Sequence, residues 1–260
     1  MSRWAKIRDC LYPLISFLLI MAMAAMVVSM ICAVATGEYD LNSPKLKAMP
    51  LLVNLLYYSF NLFYQRKYFR QDEERFFHDR KRVSPTVLFF AALLCACAGE
   101  LLVSVLYAFD IPKVFPRYSG LAAASFEGQN LFLLIAASVI LAPLSEELIF
   151  RGMLYRRIRS YLGVPAAVFL SAAAFGIYHA NVVQFLYAAL LGILLALLYE
   201  KTRALIVPVI GHAAANAAEI LRDRLEIPAS APAVTGAEAA AAVLAIVILL
   251  HYFGKTDKNE

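Results

Sequence analysis

The amino-acid sequence predicts an all-α, polytopic membrane protein with about eight transmembrane helices. Of its 260 residues, 62% are apolar and 17% are charged, whereas a soluble domain is about 45–50% apolar. The mean hydropathy is +0.69, and a water-soluble core of this composition would leave too little polar surface to cover itself. The net charge of +5 does not indicate nucleic acid, because the basic residues lie between apolar runs. A soluble enzyme and a nucleic-acid-binding protein are therefore excluded.

Eight apolar runs are candidate membrane spans, since a helix crosses the hydrocarbon core with about 20 residues. They cover residues 11–36, 49–64, 85–108, 130–150, 164–180, 183–199, 204–220 and 237–253. Open strands cannot pair their backbone groups in lipid, and the runs lack the alternation of barrel strands. Each run is therefore expected to be a helix in contact with membrane lipid.

The connections between these runs predict the orientation. With the N terminus inside, the inner connections contain 18 Lys and Arg residues and the outer ones contain six. Because positive charge is retained on the cytoplasmic side, we expect a multi-pass protein of the cell membrane, most simply a bacterial plasma membrane, with both termini cytoplasmic.

We divide the chain into three parts. Residues 1–129 contain helices one to three and a basic, aromatic-rich cytoplasmic segment at 65–84. That segment is either an interfacial amphipathic helix or a solvated loop. Residues 130–221 form a core of helices four to seven, and residues 222–260 form the last helix and a short cytoplasmic tail.

The fourth run contains three ionisable residues together, Glu146, Glu147 and Arg151. Each costs roughly 2.5–3.5 kcal/mol at the centre of a membrane helix unless it has a partner or a function. Glu147 and Arg151 are four residues apart and can pair on one helix face, whereas Glu146 lies about 140° from Arg151. Glu146 is therefore expected to face a cavity. A pair that only fixes helix packing is the alternative.

Two further runs each place a histidine in apolar sequence. Phe175 and His179 are four residues apart, as are His212 and Asn216, so each pair shares a helix face. Small residues between them allow close helix approach, which would bring these side chains to the fourth run. Two acidic residues are expected to have lesser roles: Glu100 is interfacial or paired, and Glu219 forms a surface pair with Arg222.

A carboxylate with an imidazole can activate water, while a second imidazole and a carboxamide can stabilise an oxyanion. Together these groups describe amide hydrolysis without a covalent intermediate. His179, His212 and Glu146 could equally bind zinc, although no HExxH motif occurs. We expect no cofactor, with zinc as the alternative.

The order and spacing of Glu146-Glu147-x-x-x-Arg151, Phe175-x-x-x-His179 and His212-x-x-x-Asn216 resemble the three motifs of the CPBP family. These are the membrane endopeptidases of CAAX processing and bacteriocin processing, also called the Abi family. The resemblance covers about residues 130–221 and implies an eight-helix intramembrane protease. It implies that Glu146 and His179 activate water and that His212 and Asn216 form the oxyanion site. Glu147 and Arg151, with Phe175, would support that site.

The expected substrate is a membrane-associated peptide or protein, such as a lipidated tail or a peptide precursor. A non-catalytic immunity or binding protein that uses the same cavity is the alternative, and a transporter is a third, since intramembrane Glu and His also mark proton relays.

Helix length adds one constraint. Counting about 1.5 Å per residue, Glu146 and His179 meet in depth only if the fifth helix is short and turns near residues 180–182 inside the protein.

Overall fold

Eight long helices form the part of the chain that the structure describes. The structure is a computed structural model that describes residues 2–37, 49–76, 82–115, 129–228 and 231–256. The helices are α1 (Arg3–Thr36), α2 (Met49–Phe76), α3 (Pro85–Ala108), α4 (Leu131–Leu162), α5 (Val164–Tyr178), α6 (Val182–Thr202), α7 (Ile206–Arg224) and α8 (Pro232–Thr256). A single helical turn, Ile111–Val114, follows α3. The described residues contain no strand, so the predicted all-α fold is confirmed.

Five of these helices, α1, α3, α4, α6 and α8, are long and apolar enough to cross a membrane by themselves. Large apolar side chains on outer faces are exposed, including Met26 at 67% and Leu250 at 66%. Such surfaces are unfavourable in water and suit contact with lipid. The polytopic membrane class is thereby confirmed, although α2, α5 and α7 are shorter or more polar than a self-sufficient span.

Local sequence signals fix where several helices begin and end. The Asn130 side chain accepts a hydrogen bond from the backbone N–H of Leu133 at the start of α4, and Asn181 accepts two at the start of α6. Side-chain caps of this kind pair backbone donors that the first helical turn leaves open. Gly163, with φ of +84°, separates α4 from α5, and this backbone conformation is readily available to glycine.

Helix α5 is short, as the depth argument requires. It contains 15 residues and ends at Tyr178, and the chain then turns through Ala180, whose φ is +52°. His179 stands at this turn and lines a cavity together with Gln184 from α6. Irregular backbone at membrane depth is tolerated where it lines such a cavity.

The charged segment after the second apolar run is helical where the structure describes it, which favours the helix over the solvated loop. Residues 65–76 continue α2 without a break. Gln65 and Asp72 are buried there, and Arg157 Nη2 of α4 lies 3.0 Å from the Asp72 carboxylate. Phe69 packs close to Gly152 of α4. The ion pair with Arg157 and the contact of Phe69 with Gly152 attach this segment to α4. Residues 77–81 lie outside the described residues.

Two apolar cores share α6. One combines α1, α2, α4, α5 and α6 around the rings of Phe17, Tyr57, Phe150 and Phe175. The other combines α3, α6, α7 and α8 around Leu94, Leu195 and Ala245. The polar residues of the three motifs lie between these cores, on α4, at the end of α5 and on α7.

Candidate active site

The two adjacent glutamates occupy one regular helical stretch, Ala142–Glu147, within α4. Wider, π-type turns flank it on both sides, at Ile135–Leu141 and Leu148–Tyr155. Such turns are rare in helices and frequently occur at functional sites. Both carboxylates are buried, Glu146 at 3% exposure and Glu147 at 0%, but they face different groups.

Glu147 binds two cationic or potentially cationic partners. Its Oε1 accepts a hydrogen bond from Arg151 Nη1 at 2.7 Å and another from His212 Nδ1 at 2.9 Å. The predicted Glu147–Arg151 pair is therefore present in the structure. The bond to His212 was not foreseen, and it makes Glu147 a link between α4 and α7. Because the carboxylate only accepts, Nδ1 of His212 is the protonated nitrogen.

Arg151 is fully buried and is fixed from three directions. Besides Glu147, it donates from Nη2 to the backbone carbonyl of Gly192 at 2.9 Å, and its guanidinium lies 4.7 Å from the centre of the Phe175 ring. A Cβ at Gly192 would lie 3.2 Å from both Nη2 and that ring. Gly192 therefore allows α6 to approach α4 and α5 closely enough for these contacts.

Phe175 is the packing centre of the site. Its ring meets the imidazoles of His179 and His212 edge to face, with centroid distances of 5.0 and 5.4 Å. Edge-to-face contacts of this kind hold rings in defined orientations. Phe175 thus makes three contacts with the other motif residues, one with Arg151 and two with imidazoles.

Glu146 has a different environment from Glu147. Its Oε1 accepts a hydrogen bond from the Tyr58 hydroxyl of α2 at 2.7 Å. Its Oε2 lies 3.8 Å from His212 Nε2, too far for a hydrogen bond, and the residue lines the cavity. The prediction that Glu146 is unpaired thus holds with respect to Arg151. Tyr58 was missed, because a tyrosine in an apolar run gives no sequence signal of a role.

The tautomer of His179 follows from its hydrogen bond. Nδ1 lies 2.8 Å from the backbone carbonyl oxygen of Phe175, one helical turn earlier. A carbonyl only accepts, so Nδ1 is protonated, and the neutral ring carries its lone pair on Nε2. His179 lines the cavity together with Glu146. The ring is therefore prepared to accept a proton at Nε2.

Asn216 lies one turn after His212 on α7, and both line the cavity. Its Nδ2 donates to the backbone carbonyl of Ser138 on α4 at 2.7 Å, which fixes the carboxamide plane. A carboxamide nitrogen has two N–H groups, so one donor remains for a ligand. Ser138 contributes through its backbone and could not have been found from its residue type.

The cavity has a volume of about 380 Å³. All four residues expected to act on the substrate lie in its wall: Glu146, His179, His212 and Asn216. The wall also includes residues near one end of the bundle, namely Pro50, Leu51, Gln129, Gln184 and Ile220. These stand at the start of α2, α4 and α6 and near the end of α7. The cavity therefore extends from the motif residues to the end of the bundle opposite the start of α1.

Of the two other acidic residues, Glu219 differs from its expected surroundings and Glu100 does not. Glu219 was predicted to pair with Arg222 at the surface, but it lines the cavity. Arg222 instead forms ion pairs with Glu100 of α3 and Glu238 of α8. The prediction failed because the carboxylates that bind Arg222 come from other helices, α3 and α8, which local spacing along α7 does not reveal. The alternative that Glu100 is paired agrees with the structure.

Glu146, Tyr58 and two imidazoles whose Nδ1 atoms are both hydrogen-bonded can activate a water molecule and stabilise developing charge. Among the described residues, no three His, Cys, Asp or Glu side chains are grouped closely enough to hold a metal ion. His179, His212 and Glu146 surround the cavity, and binding of zinc by all three would require them to move together. The arrangement as it stands fits acid–base chemistry on a bound amide.

The segment that carries the site is similar to known membrane peptidases. Residues 128–218 match the family described as Type II CAAX prenyl endopeptidase Rce1-like, and this range contains all three motifs. A protein of Bacillus subtilis (strain 168) named "Putative membrane peptidase YdiL" is 32% identical over 84 residues, which are 32% of this chain and 34% of that protein. The chain thus aligns with about a third of that relative's length. No solved structure matches the chain significantly.

Proposed function

We propose that this membrane protein is an intramembrane endopeptidase, because residues 128–218 match the family described as Type II CAAX prenyl endopeptidase Rce1-like. The observation that carries the proposal is the placement of Glu146 in the cavity wall beside two oriented imidazoles. A buried carboxylate without a cationic hydrogen-bond partner is costly. It is expected where the charge performs chemistry.

Glu146 is the proposed general base. Tyr58 occupies Oε1, so Oε2 is the oxygen that removes a proton from the attacking water. The water oxygen then bonds to the peptide carbonyl carbon. When the tetrahedral intermediate collapses, the C–N bond breaks and the proton passes to the leaving amine. His179, with its lone pair on Nε2, assists this transfer.

His212 and Asn216 are the proposed oxyanion donors. The Glu147 carboxylate on Nδ1 fixes the orientation of the His212 ring, and as an oxyanion donor the ring carries a hydrogen on Nε2 as well. The free N–H of Asn216 is the second donor. Two donors fixed in advance stabilise the transition state more than the substrate, and such donors are typically worth about 10²–10³ in turnover each.

The proposed substrate is a peptide segment of a membrane-associated protein or peptide precursor. The test compares peptides released by membranes that contain the wild type with those released by membranes that contain Glu146→Gln. The wild type should release defined fragments that the variant does not. Identical fragments from both, with the two proteins equally abundant and folded, would contradict the assignment of Glu146 and favour a binding protein.

The proposed hydrolysis uses no metal, because side chains supply both the base and the oxyanion donors. Purified protein would be assayed for bound metal by mass spectrometry and for peptide hydrolysis after exhaustive chelation. Hydrolysis should persist. Stoichiometric zinc whose removal stops cleavage, and whose return restores it, would establish the zinc alternative instead.

We further propose that both termini are cytoplasmic and that the cavity is reached from the outer side. The excess of 18 basic residues over six supports this orientation, and the cavity extends to the opposite end of the bundle. In a cysteine-free background, Lys113→Cys should react with an impermeant reagent added outside intact cells. Arg75→Cys should react only after permeabilisation. The opposite pattern would overturn the orientation.

A further inference from the structure

We infer that Glu219 is a specificity-determining residue that binds a basic side chain, Lys or Arg, of the substrate peptide. The inference rests on the proposed function, because the ligand is the peptide that the site hydrolyses. Glu219 lines the same cavity as His212 and Asn216 but has no part in the proposed chemistry. Its carboxylate therefore needs a separate explanation.

The position of Glu219 sets it apart from the reacting groups. It follows His212 by seven residues on α7, which places it on the same helix face and about 10 Å further along the axis. An extended peptide advances about 3.3 Å per residue. A side chain that meets Glu219 therefore belongs to a residue about three positions from the bond held beside His212.

Within the described residues, no cation neutralises this carboxylate. Among the described residues, no hydrogen bond or ion pair involves Glu219, and the neighbouring charges that act on it are the carboxylates of Glu100 and Asp223. Arg222, three residues later, is bound to Glu100 and Glu238. The charges around Glu219 are therefore negative, and Arg222, the cation nearest to it on α7, binds other carboxylates.

The described part of the cavity wall offers Glu219 no basic side chain as a partner. No Lys or Arg is among the described residues that line it. Arg224 stands nearby and binds the backbone carbonyl of Gln129 at the rim, but it is five residues from Glu219, about 140° round the helix. A Lys or Arg side chain of the substrate is therefore the cation that pairs with Glu219.

A cationic ligand also fits the energetics. A carboxylate in a wall of low dielectric attracts an opposite charge more strongly than a carboxylate in water does. Glu219 would consequently select peptides by charge, favouring Lys or Arg and rejecting Asp or Glu through repulsion. The apolar stems of Lys and Arg can lie against Leu51 and Ile220 of the same wall.

The experiment uses the full-length protein in liposomes with quenched fluorescent peptides that carry Lys, Gln or Glu at each position in turn. The wild type should hydrolyse the Lys peptide faster than the Gln peptide at one position near the third from the cleaved bond. We expect a ratio of kcat/KM of at least about tenfold, the factor given by 1.4 kcal/mol of differential binding. Glu219→Gln should reduce that ratio to about one, and Glu219→Lys should reverse it in favour of the Glu peptide.

Asp223→Asn is the matched control, because Asp223 is an exposed carboxylate on the same helix that does not line the cavity. It should keep the wild-type preference for Lys. A wild type without a basic preference, or a preference that persists in Glu219→Gln, would overturn the inference while leaving the hydrolysis intact.

A second measurement separates this inference from the proposed function. Binding of the labelled Lys, Gln and Glu peptides to Glu146→Gln protein is measured by fluorescence anisotropy, without turnover. Preferential binding of the Lys peptide that is lost on adding Glu219→Gln would support the subsite even if no peptide were hydrolysed. Equal binding of the three peptides would refute it.

Discussion

Replacing each of the two adjacent glutamates by glutamine should have opposite consequences for stability and activity. Glu147 accepts hydrogen bonds from Arg151 and His212, and Arg151 has no exposed surface. Glu147→Gln removes the charge that compensates this guanidinium. Glu146→Gln removes a charge whose described hydrogen-bond donors are neutral tyrosine hydroxyls, those of Tyr58 and Tyr178.

The expected magnitudes are far enough apart to be measured. Breaking a buried ion pair by removing one partner costs about 3–5 kcal/mol, which corresponds to a loss of about 6–20 °C in Tm for a protein of this size. The glutamine in Glu146→Gln can still accept from Tyr58, so its effect on stability should be about 1 kcal/mol or less. Its effect on peptide hydrolysis should be complete loss.

Both variants would be purified in the same detergent, and their thermal unfolding would be followed beside the wild type. The double variant Glu147→Gln, Arg151→Met provides an internal control, because it removes the uncompensated guanidinium and should recover part of the lost Tm. Equal losses in the two single variants would show that the buried ion pair is not the difference between the glutamates, and our reading of α4 would be wrong.

Three other substitutions test separate contacts. Tyr58→Phe removes a hydrogen bond to a charged group, which is worth about 1.5–3 kcal/mol. The kcat on a quenched fluorescent peptide should therefore fall about tenfold or more. An unchanged kcat would refute a role for Tyr58 in orienting Glu146. Gly192→Ala places a methyl group 3.2 Å from three neighbouring atoms and should lower the unfolding free energy by about 1–3 kcal/mol. Gly236→Ala, where a Cβ meets nothing within 4 Å, is its control and should not destabilise. Asn216→Ala should lower kcat by about 10²–10³ with bound metal unchanged, and wild-type turnover would exclude it as an oxyanion donor.

Helix periodicity was sufficient to predict the contacts within one helix. The four-residue spacing of Glu147 and Arg151 predicted their pair, and apolar length predicted the number of helices. Contacts between helices were predicted only where a motif marked both partners. Tyr58 and Ser138 were missed because one has an ordinary residue type for a membrane helix and the other acts through its backbone carbonyl. Glu219 was assigned wrongly because its neighbour Arg222 binds carboxylates of α3 and α8, and tertiary contacts outweigh local spacing.

The charge distribution of α4 explains why two consecutive glutamates are useful at one site. Glu147 is compensated by Arg151, and through His212 it also prepares a donor on the opposite wall. Glu146, one residue earlier, lines the cavity, and its hydrogen-bond donors are the hydroxyls of Tyr58 and Tyr178. A buried polar group that lacks full compensation lowers stability, and proteins accept such exceptions mainly where function requires them. The loss of stability is therefore confined to Glu146, the carboxylate proposed to react, while Glu147 holds Arg151 and His212 in place.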